Sequence, residues 1–388
     1  METTAAATTL PPSKRFVDTW ACTLYYFYSG TIFGGFLVAL GLIGNFLSVL
    51  VMAPERKKSS TVQALCLLAM ADSLLLVVYA GTIPAMGFRK FVFGWMSGYN
   101  EDIISSVYLF ELARIFNQVS AFITMILTWQ RYVAVCIPHK SKQLCTPQMV
   151  NRLALASYAI SIAFYFPNFF LYTLKKNDRG LFFPVSTSLV KSSAFQTIYS
   201  IILSYLMSYI IPVGSLVYMS IKILSNLDPK SSVAKSDRAQ NVRKDLTKSS
   251  IAIVVLFVLC QSFSPIRRIL MWIYDPYLKH ALCGGDLVYF SGVPHLALML
   301  NSAANFLIYI VFAKGFRKKM AALFTRNKAV APLDPSSSVA DISLFNEKGS
   351  NIEAPLFALF LHVVQLQTFA PFGDSKDVNL KRPHENAF

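Results

Sequence analysis

Long apolar runs separated by short polar stretches dominate the chain. Seven of them approach or exceed the roughly 20 mainly apolar residues that a helix needs to cross a bilayer. They are Tyr25 to Met52, Val62 to Met86, Ile103 to Ile137, Met149 to Thr173, Ala194 to Leu224, Ser249 to Tyr274, and Leu287 to Ala313. The runs are too long for buried strands and show no strict alternation. They predict an all-α membrane protein, a bundle of seven transmembrane helices.

Composition strengthens that reading. Hydrophobic residues make up 54% of the 388 and charged ones only 14%, outside the range of a soluble domain. The formal charge of +16 is distributed by side rather than gathered into a nucleic-acid patch. One set of connections carries Arg56, Lys57 and Lys58, then Lys140 and Lys142, then the basic run from Lys222 to Lys248, then Lys314 to Lys328. The opposite set has fewer cations, diluted by Glu101, Asp102, Asp178, Asp275 and Asp286. By the positive-inside rule the amino terminus is expected outside and the carboxyl terminus inside. Residues 1–24 are then a short extracellular segment, 25–325 the helical domain and 326–388 a cytoplasmic tail, largely disordered. No cleavable signal pattern precedes the first span, and no Asn-x-Ser/Thr acceptor exists to mark the outer face.

Polar residues inside the spans carry the functional signal. Asp72 lies near the middle of span two, where a charge costs about 2.5 to 3.5 kcal/mol. Asn45 of Gly44-Asn45 can bridge to a neighbouring helix. On span three, Arg114, Asn117, Thr124, Thr128 and Arg131 share about a third of the helix circumference, with Ser120 at its edge, so this stripe is expected to face the interior. Glu111 stands one turn from Arg114; the two either neutralise each other or both meet a ligand. Arg267 and Arg268 are adjacent within span six, so both cannot face lipid and at least one should line a wet outer cavity.

Several of these stretches have a familiar order. Gly44-Asn45, Leu68-Ala-Met-Ala-Asp72, Gln130-Arg131-Tyr132 with Pro138 beyond, Pro212, and Asn305-Phe-Leu-Ile-Tyr309 resemble the motifs of rhodopsin-like (class A) G-protein-coupled receptors. Phe316-Arg317-Lys318-Lys319 resembles their short amphipathic eighth helix. The resemblance spans roughly residues 25 to 325, and Gln-Arg-Tyr-x-x-Val-Cys with Asn-Phe-x-Ile-Tyr is most similar to invertebrate neuropeptide receptors of the FMRFamide, myosuppressin and sex-peptide type. It implies a multi-pass plasma-membrane receptor that couples to a heterotrimeric G protein, with arrestin and a receptor kinase as further partners. It also implies a sodium site at Asp72, Ser120, Asn301 and Asn305, whose oxygen-rich set suits a hard cation.

The departures from the family pattern matter equally. Gln130 stands where relatives hold an acid beside the span-three arginine, which leaves Asp245, about 30 Å before Pro265 along the helix, as the expected lock on Arg131. Phe263 replaces the ligand-responsive Trp, while Pro265 keeps the kink. Phe306 replaces the span-seven proline. Ser106 occupies the place of the usual disulfide cysteine, and the loop from Lys175 to Ser193 has no cysteine. Cys22 and Cys283, both outside and near neighbouring spans one and seven of the family's bundle, are the expected pair.

The loop from Ser225 to Thr247 reads as partly mobile. The tail offers Ser336, Ser337, Ser338, Ser343 and Ser350 as kinase sites, and its apolar run Pro355 to Phe372 is too mixed for an eighth span. No catalytic constellation, metal-ligand spacing or phosphate loop occurs, so a receptor is expected rather than an enzyme. Its ligand pocket is expected at Glu111, Arg114, Asn117, Gln118, Arg267, Arg268 and His295, suiting a peptide of mixed charge. Two other readings stay open: a chemosensory receptor for a small acidic molecule held by Arg267 and Arg268, and a receptor-like or transporter protein that does not signal.

Overall fold

A computed structural model describes the backbone of residues 19–226, 237–274 and 288–326, and the side chains of residues 20–226, 247–270 and 289–322. Seven helices are long and apolar enough to cross a membrane: α1 (Trp20–Glu55), α2 (Ser60–Phe93), α3 (Tyr99–Cys136), α4 (Pro147–Phe170), α5 (Phe195–Ser225), α6, whose apolar part is Thr247–Leu270, and α7 (Tyr289–Phe312). α6 runs as one helix over Asp237–Tyr274. α8 (Lys314–Arg326) follows α7 after a break at Ala313. The bundle is the seven-span architecture expected from the apolar runs. Residues 1–18 and 227–236, Cys283, Asp275, Asp286, the Asp245 side chain and the tail from residue 327 onward lie outside the described residues, as do the proposed kinase sites, while the end of the expected leader, from Thr19, and the end of the expected loop, from Asp237, are helical.

Local sequence explains where these helices start. The Ser59 side chain accepts from the Val62 amide at 3.5 Å to begin α2, and Thr146 accepts from Met149 at 3.2 Å with Pro147 at the first helical position of α4, both satisfying donors left over at a helix start. α3 begins after Gly98, whose φ of +66° suits only a residue without a side chain, and places Glu101 and Asp102 in its first turn.

Two features go beyond the apolar pattern. α2 breaks at Gly81–Thr82 before Pro84, and the Thr82 hydroxyl donates to the carbonyls of Val78 and Tyr79 at 3.3 and 3.1 Å. Between α4 and α5 the chain forms an antiparallel hairpin, β1 (Tyr172–Lys176) with β2 (Phe182–Ser186), in the register Tyr172↔Ser186 to Lys176↔Phe182. Asn177 and Gly180, with φ of +75°, make its turn. The Asn100 side chain at the start of α3 grips this hairpin twice: its nitrogen donates to the Gly180 carbonyl at 3.2 Å and its oxygen accepts from the Phe182 amide at 2.8 Å.

Apolar side chains pack in three groups. The inner one joins Val51, Leu68, Ile123 and Tyr309 to Phe316 of α8. An outer one gathers Leu37, Leu75, Leu76, Tyr79 and Met299, and a third joins Ala121 of α3 to Leu216 and Met219 of α5 and Val254 and Phe257 of α6. α1 reaches α7 through its glycines: a side-chain carbon at Gly44 would lie 2.8 Å from Cβ of Phe306, and one at Gly41 3.0 Å from Cα of Ala303. α8 is anchored by buried Phe316, by Arg317 donating to the Ile310 and Val311 carbonyls at 2.9 and 2.8 Å, and by Lys319 paired with Glu55 at 2.5 Å.

Candidate functional site

Polar side chains converge at three levels along α3. Because the helix rises about 1.5 Å per residue, Asn117 and Arg131 stand about 21 Å apart.

At the outer level is a cavity of about 370 Å3. Arg114 and Asn117 line it from α3, Tyr165 from α4, Tyr205 and Tyr209 from α5, Gln261, Pro265, Arg267 and Arg268 from α6, and His295 from α7. Five of the seven expected ligand residues therefore face one space. Glu111 and Gln118 are not among its lining residues. Glu111 pairs with Arg114 at 2.6 Å and accepts from Asn168 at 2.8 Å, while Arg114 also lines the cavity. Gln118 is turned toward α5 and α4, donating to the Met207 carbonyl at 2.9 Å and accepting from Tyr165 at 3.4 Å. The reason is spacing: both residues lie about one helical position off the stripe that ends at Arg131, and on a helix such a step is about 100°.

The cavity floor is a cross-helix hydrogen bond, Gln261 Nε2 donating to Asn117 Oδ1 at 3.0 Å. Around it, the Tyr209 and Ser262 hydroxyls are 3.0 Å apart, the Tyr205 hydroxyl donates to the Pro265 carbonyl at 3.4 Å, and the Arg268 guanidinium sits 5.2 Å from the Tyr205 ring centre. Thus α5 and α3 hold α6 on both sides of its proline. The Phe263 ring is tilted against that of Phe290 of α7, ring centres 6.4 Å apart. His295 is bounded by Tyr79, at 3.3 Å from its Nδ1, and by the Phe110 ring.

At the middle level Asp72 is wholly buried. One oxygen accepts from Ser120 at 2.7 Å and Ser302 at 2.9 Å, the other from Asn305 at 2.7 Å. Asn45 donates to the Ser302 carbonyl at 3.2 Å, joining α1 to the same network. Asn301 is buried one turn before Asn305, and the Asn305 oxygen has no hydrogen-bond partner. Ser302 is the member that sequence reading missed; a serine in an apolar span carries no signal until its neighbour across the bundle is known.

At the inner level Arg131 is 8% exposed. Gln130 is turned away from it, donating toward the Ser60 carbonyl of α2 at 3.4 Å. Tyr132 packs against the α5–α6 group of Val254 and Phe257. Tyr309 is buried with its ring centre 5.7 Å from that of Phe316. α7 runs on without interruption through Phe306, where the family has proline. Cys22 is buried and disulfide-bonded, while Cys66, Cys136, Cys145 and Cys260 are free thiols.

The model of the seven-transmembrane receptors of the rhodopsin family matches residues 44–309. This chain belongs to that family. It is similar to an FMRFamide receptor of Drosophila melanogaster, 24% identical over 307 residues that make up 74% of this chain and 52% of the fly receptor. An FMRFamide peptide receptor of Caenorhabditis elegans is 21% identical across 82% of this chain and 75% of its own length, and galanin receptor 2a of Danio rerio 26% identical across 80% and 84%. The match spans about half the length of the fly receptor.

Proposed function

We propose that this multi-pass membrane protein is a neuropeptide receptor of the plasma membrane, amino terminus outside, that signals through a heterotrimeric G protein. The observation that carries the reading is the outer cavity, walled by α2 to α7 and floored by the Gln261–Asn117 hydrogen bond. A peptide entering there competes for the groups that tie α6 to α3 and α5. Binding one arrangement of α6 more tightly than another shifts the balance between them. Pro265 supplies the hinge, since it cannot donate to the turn before it. Below it α6 extends inward to Asp237 as a lever whose movement opens the groove around Arg131 and Tyr132 to the G protein. Arrestin and a receptor kinase would meet the same inner face.

The names of the fly and nematode relatives support a peptide ligand, and the positive-inside pattern supports the orientation. Cys22 paired with Cys283 would clip the outer end of α1 to the loop before α7. A sodium ion fits the middle level, where Asp72, Ser120 Oγ and the unpartnered Asn305 oxygen supply hard donors beside Asn301. Bound there it would add a second means of compensating the Asp72 charge.

Guanine-nucleotide exchange stimulated by a panel of neuropeptides, measured with the full chain and each G-protein class, tests the proposal. Peptide-dependent exchange that Asn117→Leu weakens is expected. Binding without exchange would instead favour a silent receptor-like protein.

A further inference from the structure

The outer cavity does not end at α3. A second chamber of about 290 Å3 lies between α1, α2, α3 and α7, and Ser106, Phe110, Arg267 and His295 line both. Arg267 therefore stands at the waist where the two spaces meet. Beyond it the second chamber presents Tyr25, Tyr26, Ile83, Trp95 and Leu296, an aromatic and apolar wall.

Among the described residues the charges around this waist are unbalanced. Glu111 has both oxygens engaged, by Arg114 and Asn168. Asp102 in the second chamber is taken by Arg89 and by Lys90 at 3.5 Å. Lys90 in turn lies 4.6 Å from the Trp95 ring centre. Among the described residues, neither Arg267 nor Arg268 pairs with a carboxylate, and Arg267 Nε is buried without a partner. Arg267, half-buried, and Arg268, more exposed, thus face the cavity while Glu111 and Asp102 beside it are already paired. A desolvated charge whose neighbours share its sign is held at a cost that a ligand of opposite charge removes. A cationic ligand would meet the same field as repulsion, which excludes it.

We propose that the pocket is built for a ligand that presents a carboxylate to Arg267 and Arg268 and places an aromatic or apolar arm in the second chamber. The proposal rests on the cavity being the ligand site, and it deepens that reading by setting the sign of the ligand. A guanidinium fork pairs with a carboxylate through two parallel hydrogen bonds, and Arg268 is already oriented by its stacking on Tyr205. The carboxylate can belong to a peptide or to a small organic acid. An amidated peptide whose deepest residue is arginine does not fit this end of the pocket.

Thermal unfolding of the full receptor in nanodiscs, with binding probes rather than a signalling readout, tests the inference separately from G-protein coupling. The probes are N-acetyl-phenylalanyl-phenylalanine and its amide, and 3-phenylpropionate and its amide. The acids are expected to raise the unfolding midpoint at concentrations about tenfold or more below those of the amides. A shift from the dipeptide acid alone assigns the carboxylate to a peptide; a shift from both acids shows that a small acid suffices. Arg267→Gln should abolish the acid's advantage, raise the midpoint of the unliganded receptor by removing an unpaired buried charge, and Arg267→Lys should keep part of the advantage. Equal or better stabilisation by the amides, no stabilisation by either acid, or a lower unliganded midpoint for Arg267→Gln would overturn it. Acid binding without nucleotide exchange would leave this inference standing and count only against signalling.

Discussion

Replacing Asp72 separates two accounts of the middle of the bundle. In Asp72→Ala three donors lose their acceptor: Ser120, Ser302 and Asn305. The serine hydroxyls can turn back to carbonyls of their own helices, as Ser73 does to Ala69 at 2.7 Å, but the Asn305 amide has no such retreat. An unsatisfied buried donor costs about 1 to 3 kcal/mol, and with the cavity left by the lost carboxylate the expected loss is about 3 kcal/mol. Asp72→Asn differs in kind. Its oxygen still accepts from both serines, and its new amide finds the Asn305 oxygen, which now lacks a partner, once Asn305 rotates its amide by half a turn. One buried group still lacks a partner, now the Asn305 nitrogen in place of its oxygen, but no charge is buried, so stability should stay close to that of the parent. Heating the purified receptor with a thiol-reactive dye reads this directly, because Cys66 and Cys260 are buried free thiols that unfolding exposes. Loss of stability in Asp72→Asn as large as in Asp72→Ala would refute the donor-count reasoning and show that the negative charge itself holds the site. The same assay in sodium chloride against choline chloride bears on the cation: a sodium-dependent rise in the parent and none in Asp72→Asn is the expected pattern.

Other outcomes follow from single contacts. Asn100→Ala removes the only described acceptor for the Phe182 amide; at about 0.5 to 1.5 kcal/mol for such a bond, hydrogen exchange at that amide should quicken roughly two- to twelvefold, while exchange deep in α3 stays unchanged. Gly44→Ala drives a methyl to 2.8 Å from Phe306 Cβ and 2.9 Å from its Cγ and should cost about 1 to 3 kcal/mol; Phe306→Ala removes the ring but keeps Cβ, so the double variant should lose less than the sum of the two single losses, and strict additivity would move the cause elsewhere. Asp245→Ala should raise ligand-independent nucleotide exchange at equal surface expression, since Gln130 is occupied with Ser60 and offers Arg131 no acid.

The helices were legible because their apolar runs match the bilayer, a constraint each span meets alone. Their ends were less so: α2 runs past Met86 to Phe93 because Thr82 repairs the break before Pro84, and α3 starts before Ile103 because Gly98 and two acids form its first turn. Asp72 announced itself by its cost, whereas Ser302 and Gln261 needed partners that lie 230 and 144 residues away in sequence. Glu111 and Gln118 show the converse limit. A polar residue near the right face looks like a ligand contact until its neighbours Asn168 and Met207 are seen to use it. The hairpin escaped notice because its strands are only five residues each and the polar turn Lys175 to Gly180 reads equally as an ordinary loop between spans.

Where relatives of this family weld the outer loop to the third helix with sulfur, this chain substitutes the amide of Asn100. Such a latch yields to thermal agitation at a rate no covalent weld permits, independently of redox state. Opening of the hairpin is therefore set by the two hydrogen bonds of that one side chain rather than by a reduction potential.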